Sequence, residues 1–349
     1  MIKKWIESHW YIKKNIVLSF LLIGFSGAFG FVSTFRRFLY RNGYKKVETL
    51  AVPVVVVGNI NVGGVGKTPL IQFLAQQLSE QGFLVGLISR GYGGTHQTPC
   101  LVSAESSTGL VGDEALATFL RTKLPMVVGL DRIAAGRMLL SLYPKTQIIL
   151  SDDGLQHYAL ARQFELVVID GQRGLGNGFL LPMGPLRESI RRLNEVDAVV
   201  FNGHPKREQD FSDVKCPRFE MHLRPTFFWR LGSAEQKSPR ELLFYLKQKK
   251  VRALAGIGFP LRFFQTLKTL GFQLDEEVPY PDHHRYEQSD VPCHVDVVLT
   301  TSKDAVKWQS LELKHIEVWV LEIEPFVTDD LLGLICQKLQ ISPHEKTNT

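Results

Sequence analysis

The residues best equipped for chemistry lie at 58–70, GNINVGGVGKTPL. Gly63, Gly64 and Gly66 precede Lys67 and Thr68, and glycine-rich backbone beside a lysine and a hydroxyl is the makeup of a triphosphate cradle. Backbone N–H groups close around phosphate oxygens, the lysine meets the β- and γ-phosphates, and the threonine hydroxyl is a Mg²⁺ ligand. The usual form, GxxxxGK[ST], opens on glycine, whereas Asn61 stands at that position here. Such a loop works only between a buried strand and a helix N-terminus, and both flanks comply. Residues 51–57 (AVPVVVV) form the β-branched run of a strand buried on both faces. Residues 68–78 (TPLIQFLAQQL) carry apolar side chains at helical spacing, with Pro69 in the first turn, where its missing N–H costs nothing. Asn61, Val62, Gly63, Gly64, Val65, Gly66, Lys67, Thr68 and Pro69 therefore read as a nucleoside-triphosphate loop.

Further polar residues cluster at ends of apolar runs. QIILSDDGLQH (147–157) ends in Asp152 and Asp153, and a carboxylate at such a strand end helps hold Mg²⁺ beside a phosphate loop. A strand-terminating turn is the plainer alternative. Asp153 and His157 are four apart, spaced to share a helical face. GDEALA (112–117) puts Asp113 and Glu114 at a helix start, where acids also serve as caps. SRGYGG (89–94) offers Arg90 either to a phosphate or to a turn, and PLRES (185–189) offers Arg187 as a phosphate clamp. PDHHRY (281–286) sets His283 and His284 beside Asp282, an acid–base candidate.

The elements that must position these residues alternate. Apolar β-branched runs at 84–88, 126–128, 147–150, 165–169 and 197–201 are separated by helical patterns, which predicts βαβ units around a parallel sheet. An irregular stretch near 215–237, with Pro217, Pro225 and Trp229, reads as a linker. A second series follows: strands at 251–255, 272–278, 295–299 and 316–321, with helices at 260–270, 303–308 and 328–339. The expected fold is α/β, a phosphate-loop NTPase-type parallel-sheet domain with a second, smaller α/β domain and an N-terminal membrane helix. The boundaries are an anchor and basic segment at 1–45, a kinase-type domain at 46–220, a linker at 221–250 and the smaller domain at 251–349, closing a two-substrate cleft.

The membrane helix rests on residues 16–35 (IVLSFLLIGFSGAFGFVSTF), which hold no charge; about 20 such residues are what a spanning helix needs. A cleavable signal would export a triphosphate-dependent domain, so an uncleaved anchor is favoured. Its glycines and serines leave spanning and interfacial placement both open. Arg36, Arg37, Arg41, Lys45 and Lys46 follow, suited to an anionic leaflet or to plain solvation. Over all 349 residues, 22% are charged and 44% hydrophobic, a globular composition. The net charge of +6 points to anionic partners, but no nucleic-acid-binding pattern accompanies it, and no protein partner is inferable. Cys100, Cys216, Cys293 and Cys336 are too scattered for a metal site or a disulfide framework and read as reduced cytosolic thiols.

Taken in order, GNINVGGVGKTP, SRGYGG, GDE, LDR, DDGLQH, PLRES, PDHH and TTSKDAVK behind an apolar helix resemble the tetraacyldisaccharide 4'-kinases of lipid A synthesis. That family's loop resembles GNxTxGGxGKTP, which accounts for the missing first glycine. The chain departs from the pattern with Asn61 for Thr and Ser302 for Glu. The resemblance implies Mg²⁺-dependent transfer of the γ-phosphate of ATP to the 4'-hydroxyl of a lipid disaccharide 1-phosphate, at the cytoplasmic face of the bacterial inner membrane. It implies that Asp113 accepts or orients the hydroxyl proton with His283, aided by Lys67 and Arg187. It places Thr68, Glu114, Asp152 and Asp153 near the metal, and Arg90, Arg132 and His157 in the cleft. The rival is a membrane-associated switch ATPase with a GGxGKT loop. Such loops carry a lysine before the two glycines, where this chain has Val62.

Overall fold

The computed structural model describes residues 6, 9–11, 16–282, 284–308, 311–313 and 315–341. An N-terminal helix α1 (Ile16–Arg41) precedes β1 (Val54–Gly58), α2 (Lys67–Glu80), β2 (Val85–Ser89), β3 (Cys100–Leu101), α3 (Thr108–Val111), α4 (Asp113–Thr122), β4 (Met126–Val128), α5 (Arg132–Leu142), β5 (Ile148–Asp152), β6 (Phe164–Asp170) and β7 (Ala198–Asn202). The chain continues through β8 (Arg218–Arg230), β9 (Gln236–Lys237), α6 (Pro239–Tyr245), β10 (Val251–Ala255), α7 (Pro260–Thr269), β11 (Glu276–Pro279), β12 (Val297–Thr301), α8 (Ser302–Trp308), β13 (Glu317–Val327) and α9 (Leu331–Leu339).

Among the described residues one sheet runs β11-β10-β12-β13-β8-β7-β6-β1-β5-β2-β4-β3, with β9 pairing β8. The parallel strands are apolar at successive positions because both faces are covered. Val55 and Val57 of β1 pack with Leu70 and Leu74 of α2, while Val54 and Val56 pack on the other side with Leu139 and Leu193. In the second half Ala253 and Ala255 face Phe263 and Phe264, and Leu254 faces Trp308.

The registers explain how two parallel sub-sheets come to share one cleft. Strands β8 and β13 form a long antiparallel ribbon in which Phe228 pairs Leu321 and Met221 pairs Val327. At one end β7 runs parallel to β8 and finishes with Asn202 beside Met221. At the other end β12 runs parallel to β13 and finishes with Thr301 beside Leu321. Both sub-sheets therefore aim their carboxyl ends at the middle of the ribbon. In open parallel sheets that is the edge where ligands bind.

Several local expectations are corrected. The stretch 221–250, expected to be an irregular linker, carries most of β8, all of β9 and α6. Pro225 broke the strand pattern in sequence, but it pairs Ile323 at a register shift, where a strand tolerates a residue without N–H. Residues 272–275 lie outside β11, which starts only at Glu276, and α9 starts at Leu331, where Asp330 accepts the N–H of Gly333 at 2.7 Å. Asp153 and His157 share no helix: 153–159 is a series of turns, with Asp153 in the left-handed region (φ 47°), a conformation in which Asp is enriched among non-glycine residues.

Candidate active site

A cavity of about 1750 Å³ lies over the ribbon, floored by Leu223, Phe227 and Ile323. The phosphate loop enters it from β1 and leaves into α2, whose N-cap is Gly66 (φ 98°). Gly66 and Gly63 (φ 107°) hold positive φ, so these two positions need glycine. At Gly66 there is also no room for a side chain, because Asn202 closes on it and donates to the carbonyl of Val65 at 3.1 Å. Lys67 Nζ donates to Asn59 at 3.2 Å and stands 3.4 Å from Asp153. Val62 to Pro69 line the cavity. Asn61 does not; its buried amide donates to the carbonyl of Gly174 at 2.9 Å and ties the loop to the scaffold.

Asp152 and Asp153 end β5 at the cavity wall. Burial is the main cause that pushes the Asp152 carboxyl up to about 7, and nearby Glu114 adds to it. Its Oδ1 is buried without a hydrogen-bond partner among the described residues. Burial also works on Asp153, but Lys67 and Arg187 outweigh it and hold its carboxyl below the usual range. Arg187 Nη1 stands 3.4 Å from both Asp153 oxygens. Glu188 fixes that segment: it is buried, accepts from Gln156 (2.7 Å) and Tyr158 (2.8 Å), and forms an ion pair with Arg192 at 3.3 Å.

Arg90, Arg132, Glu114 and His157 also line the cavity. Asp131 caps α5 by accepting the N–H groups of Ile133 and Ala134, which sets Arg132 at the helix start. Burial, the largest cause, brings Arg132 down to about 10, so it keeps its charge. Burial and then Arg132 and Arg162 lower His157 to about 4, so this imidazole is neutral near pH 7.

Asp113 begins α4, is buried and sits behind the wall that Glu114 forms. Its Oδ1 accepts the N–H of Glu114 at 3.0 Å and its Oδ2 stands 3.3 Å from Lys307. Lys303 reaches Glu114 and Asp282, each at 2.9 Å. Burial opposes the Lys303 charge, but Glu114, Asp282 and Asp113 outweigh it and raise its pKa. His283 lies outside the described residues. The sequence reading missed Asn59, Asn202, Asp170, Arg262, Lys303 and Lys307. Asp170 accepts the N–H groups of Gln172 and Arg173 and binds Arg262 across the cleft at 3.0 Å. Asn202 and Asp170 each close an apolar run, a signal as local as that of Asp152.

Helix α1 lies along the same half. Ser26 donates to the Leu180 carbonyl at 2.8 Å, Arg37 and Arg41 pair with Glu195, and Arg36 reaches the cavity over the Tyr158 ring. Several of the basic residues after the apolar run are thus engaged within the protein. Phe20, Leu21, Phe25 and Phe31 face outward, 67% to 77% exposed. By length and composition the described residues hold one helix apolar enough to cross a membrane, Val17–Arg41.

Comparison with known proteins gives one consistent result. A family model described as tetraacyldisaccharide-1-P 4'-kinase matches residues 18–340. A tetraacyldisaccharide 4'-kinase of Chromobacterium violaceum is 46% identical, with 96% of this chain and 98% of the relative covered. One of Dechloromonas aromatica is 42% identical over 97% and 98% of the two chains. The crystal structure of LpxK from Aquifex aeolicus in complex with ATP superposes with a TM-score of 0.76 at 29% identity, covering 92% of this chain and 99% of that one.

Proposed function

The chain belongs to the tetraacyldisaccharide 4'-kinase family and is an ATP-dependent kinase of lipid A biosynthesis, and we propose that the cleft over the β8–β13 ribbon is where the transfer occurs. The observation that carries this assignment is convergence: Lys67, Arg187, Glu114, Asp152 and Asp153 from one sub-sheet meet Lys303 and Asp282 from the other around one cavity. In this reading 46–220 and 251–349 are the two catalytic halves and the ribbon joins them.

Phosphoryl transfer calls mainly for positioning and neutralisation of charge. The loop N–H groups and Lys67 hold the β- and γ-phosphates, and Arg187 and Arg132 add positive charge at the other walls. The sugar 4'-oxygen attacks the γ-phosphorus, the bond to the β-phosphate bridging oxygen breaks, and ADP leaves. The hydroxyl proton passes to His283, which Asp113 orients from behind the wall; the buried setting of Asp113 favours this division of labour over direct contact with the sugar.

Mg²⁺ fits the donors present. Among the described residues no three metal-binding side chains form a cage, and Mg²⁺ bound to a nucleotide needs only one or two carboxylates besides phosphate. The unpartnered, buried Oδ1 of Asp152 beside Glu114 and Asp153 is the kind of excess negative charge a divalent cation offsets. Asp152, Asp153, Glu114 and Thr68 would hold it, and when bound it supplies neutralisation of the developing phosphate charge.

The lipid acceptor is met at a membrane surface. Contacts of α1 with Leu180 and Glu195 bind its inner face along much of its length, which supports a helix lying in the interface with its phenylalanines in lipid, at the cytoplasmic leaflet where ATP is present. Labelled ATP and detergent-dispersed tetraacyldisaccharide 1-phosphate test the site. Wild type labels the lipid, and Lys67→Ala loses transfer while staying folded. Near wild-type turnover by that variant would remove the loop from the mechanism, and ATP hydrolysis without lipid labelling would favour a switch ATPase.

A further inference from the structure

The segment TTSKDAVK (300–307) is given no chemical step in the transfer above, yet its two lysines grip the acid pair at the start of α4. Lys303 and Lys307 are one turn apart on α8 and share a face. Each lysine takes one carboxylate from across the cleft and one from its own half. Lys303 binds Glu114 and Asp282 at 2.9 Å, and Lys307 binds Asp113 at 3.3 Å and Asp304 at 3.1 Å. Asp304 is fully buried and accepts the Gly256 N–H at 2.9 Å and the Thr301 hydroxyl at 2.8 Å. That fixes Lys307 to the turn after β10, where a Cβ on Gly258 would stand 3.1 Å from the backbone nitrogen of Gly64 in the phosphate loop. The grip is thus tied to the approach of the second half onto the loop.

A buried ammonium among carboxylates is a weak source of stability, because desolvation offsets attraction. Its clearer effect is orientation. Asp113 is held at both oxygens, Oδ1 by the Glu114 N–H and Oδ2 by Lys307, and so is confined to one rotamer. We propose that Lys307 positions Asp113 and Lys303 positions Glu114, so that the acid pair is ordered for transfer only when the second half closes over the phosphate loop. This rests on the role given above to Asp113.

Steady-state kinetics with ATP and detergent-dispersed acceptor test it in four variants: Lys307→Met, Lys303→Met, Asp113→Asn and the double Asp113→Asn, Lys307→Met. Loss of orientation should lower kcat of Lys307→Met about 10²-fold, within the range of a general base and its orienting partner, with KM for ATP changed less than about threefold. Because Lys307 acts through Asp113, adding Lys307→Met to Asp113→Asn should cost less than about threefold more. A wild-type kcat in Lys307→Met, or losses that multiply in the double variant, would overturn the proposal. If Asp113→Asn alone keeps wild-type kcat, the role of Asp113 is what fails, a result distinguishable from failure of the lysines. Should Lys307→Met not fold, Lys303→Met, with a side chain 19% exposed, decides: a fall in kcat of about tenfold supports positioning and an unchanged kcat overturns it.

Discussion

Replacing Phe20, Phe25 and Phe31 by serine should release the protein from membranes without unfolding it. The three rings are 77%, 68% and 70% exposed and point away from the face that carries Ser26 and Arg37. Fully burying a phenylalanine side chain is worth roughly 1.5–3 kcal/mol. At about 70% of that, three rings inserted in lipid contribute roughly 4 kcal/mol, or about a thousandfold in partitioning. Their exposure means that the fold itself should change by less than about 0.5 kcal/mol per substitution. Flotation with vesicles of mixed zwitterionic and anionic lipid measures the partition, and thermal melting in detergent checks the fold. Wild type should stay bound at 1 M salt, where charge attraction is screened beyond about 3 Å. Retention of the triple variant within about threefold of wild type, or salt release of wild type, would refute apolar insertion and leave electrostatic docking through residues such as Lys45.

Three more outcomes are expected. Asp113→Ala and His283→Ala should each lower kcat by about 10² to 10⁴, with the double variant scarcely worse than the poorer single one, since partners acting as a unit lose function once; stopped-assay kinetics that show multiplying losses would separate the two residues. The raised carboxyl of Asp152 makes the nucleotide-free fold bind a proton that the unfolded chain has released, so this group weakens the fold as pH rises from about 4 to about 7. Asp152→Asn should therefore melt higher than wild type at pH 8, with the gain vanishing toward pH 4, and an equal gain at both values would contradict the assignment. Glu188→Ala removes the buried carboxylate that accepts from Gln156 and Tyr158 and pairs with Arg192 and should cost roughly 3 kcal/mol by urea unfolding; a loss under about 1 kcal/mol would mean that the network is not holding the Arg187 segment.

What the sequence determined by itself is local. The phosphate loop was legible because glycines, lysine and threonine at fixed spacing between a β-branched run and a helical one leave few other readings, and the strand-end carboxylates Asp152 and Asp153 followed from the same alternation. The apolar helix was legible from an uncharged run, but its docking through Ser26 and Arg37 was not. Tertiary structure alone decided that β8, hidden behind Pro225, pairs with a strand about 100 residues later and turns the carboxyl ends of two parallel sub-sheets of one sheet toward each other. It decided that Asn61 turns from the cavity, that residues 153–159 form turns, and that Lys303 meets Glu114 from 189 positions away. Spacing along the chain reports which side chains share a face of one element. Which faces of two distant elements meet is set by the register and direction of the strands between them, and no local pattern carries that information.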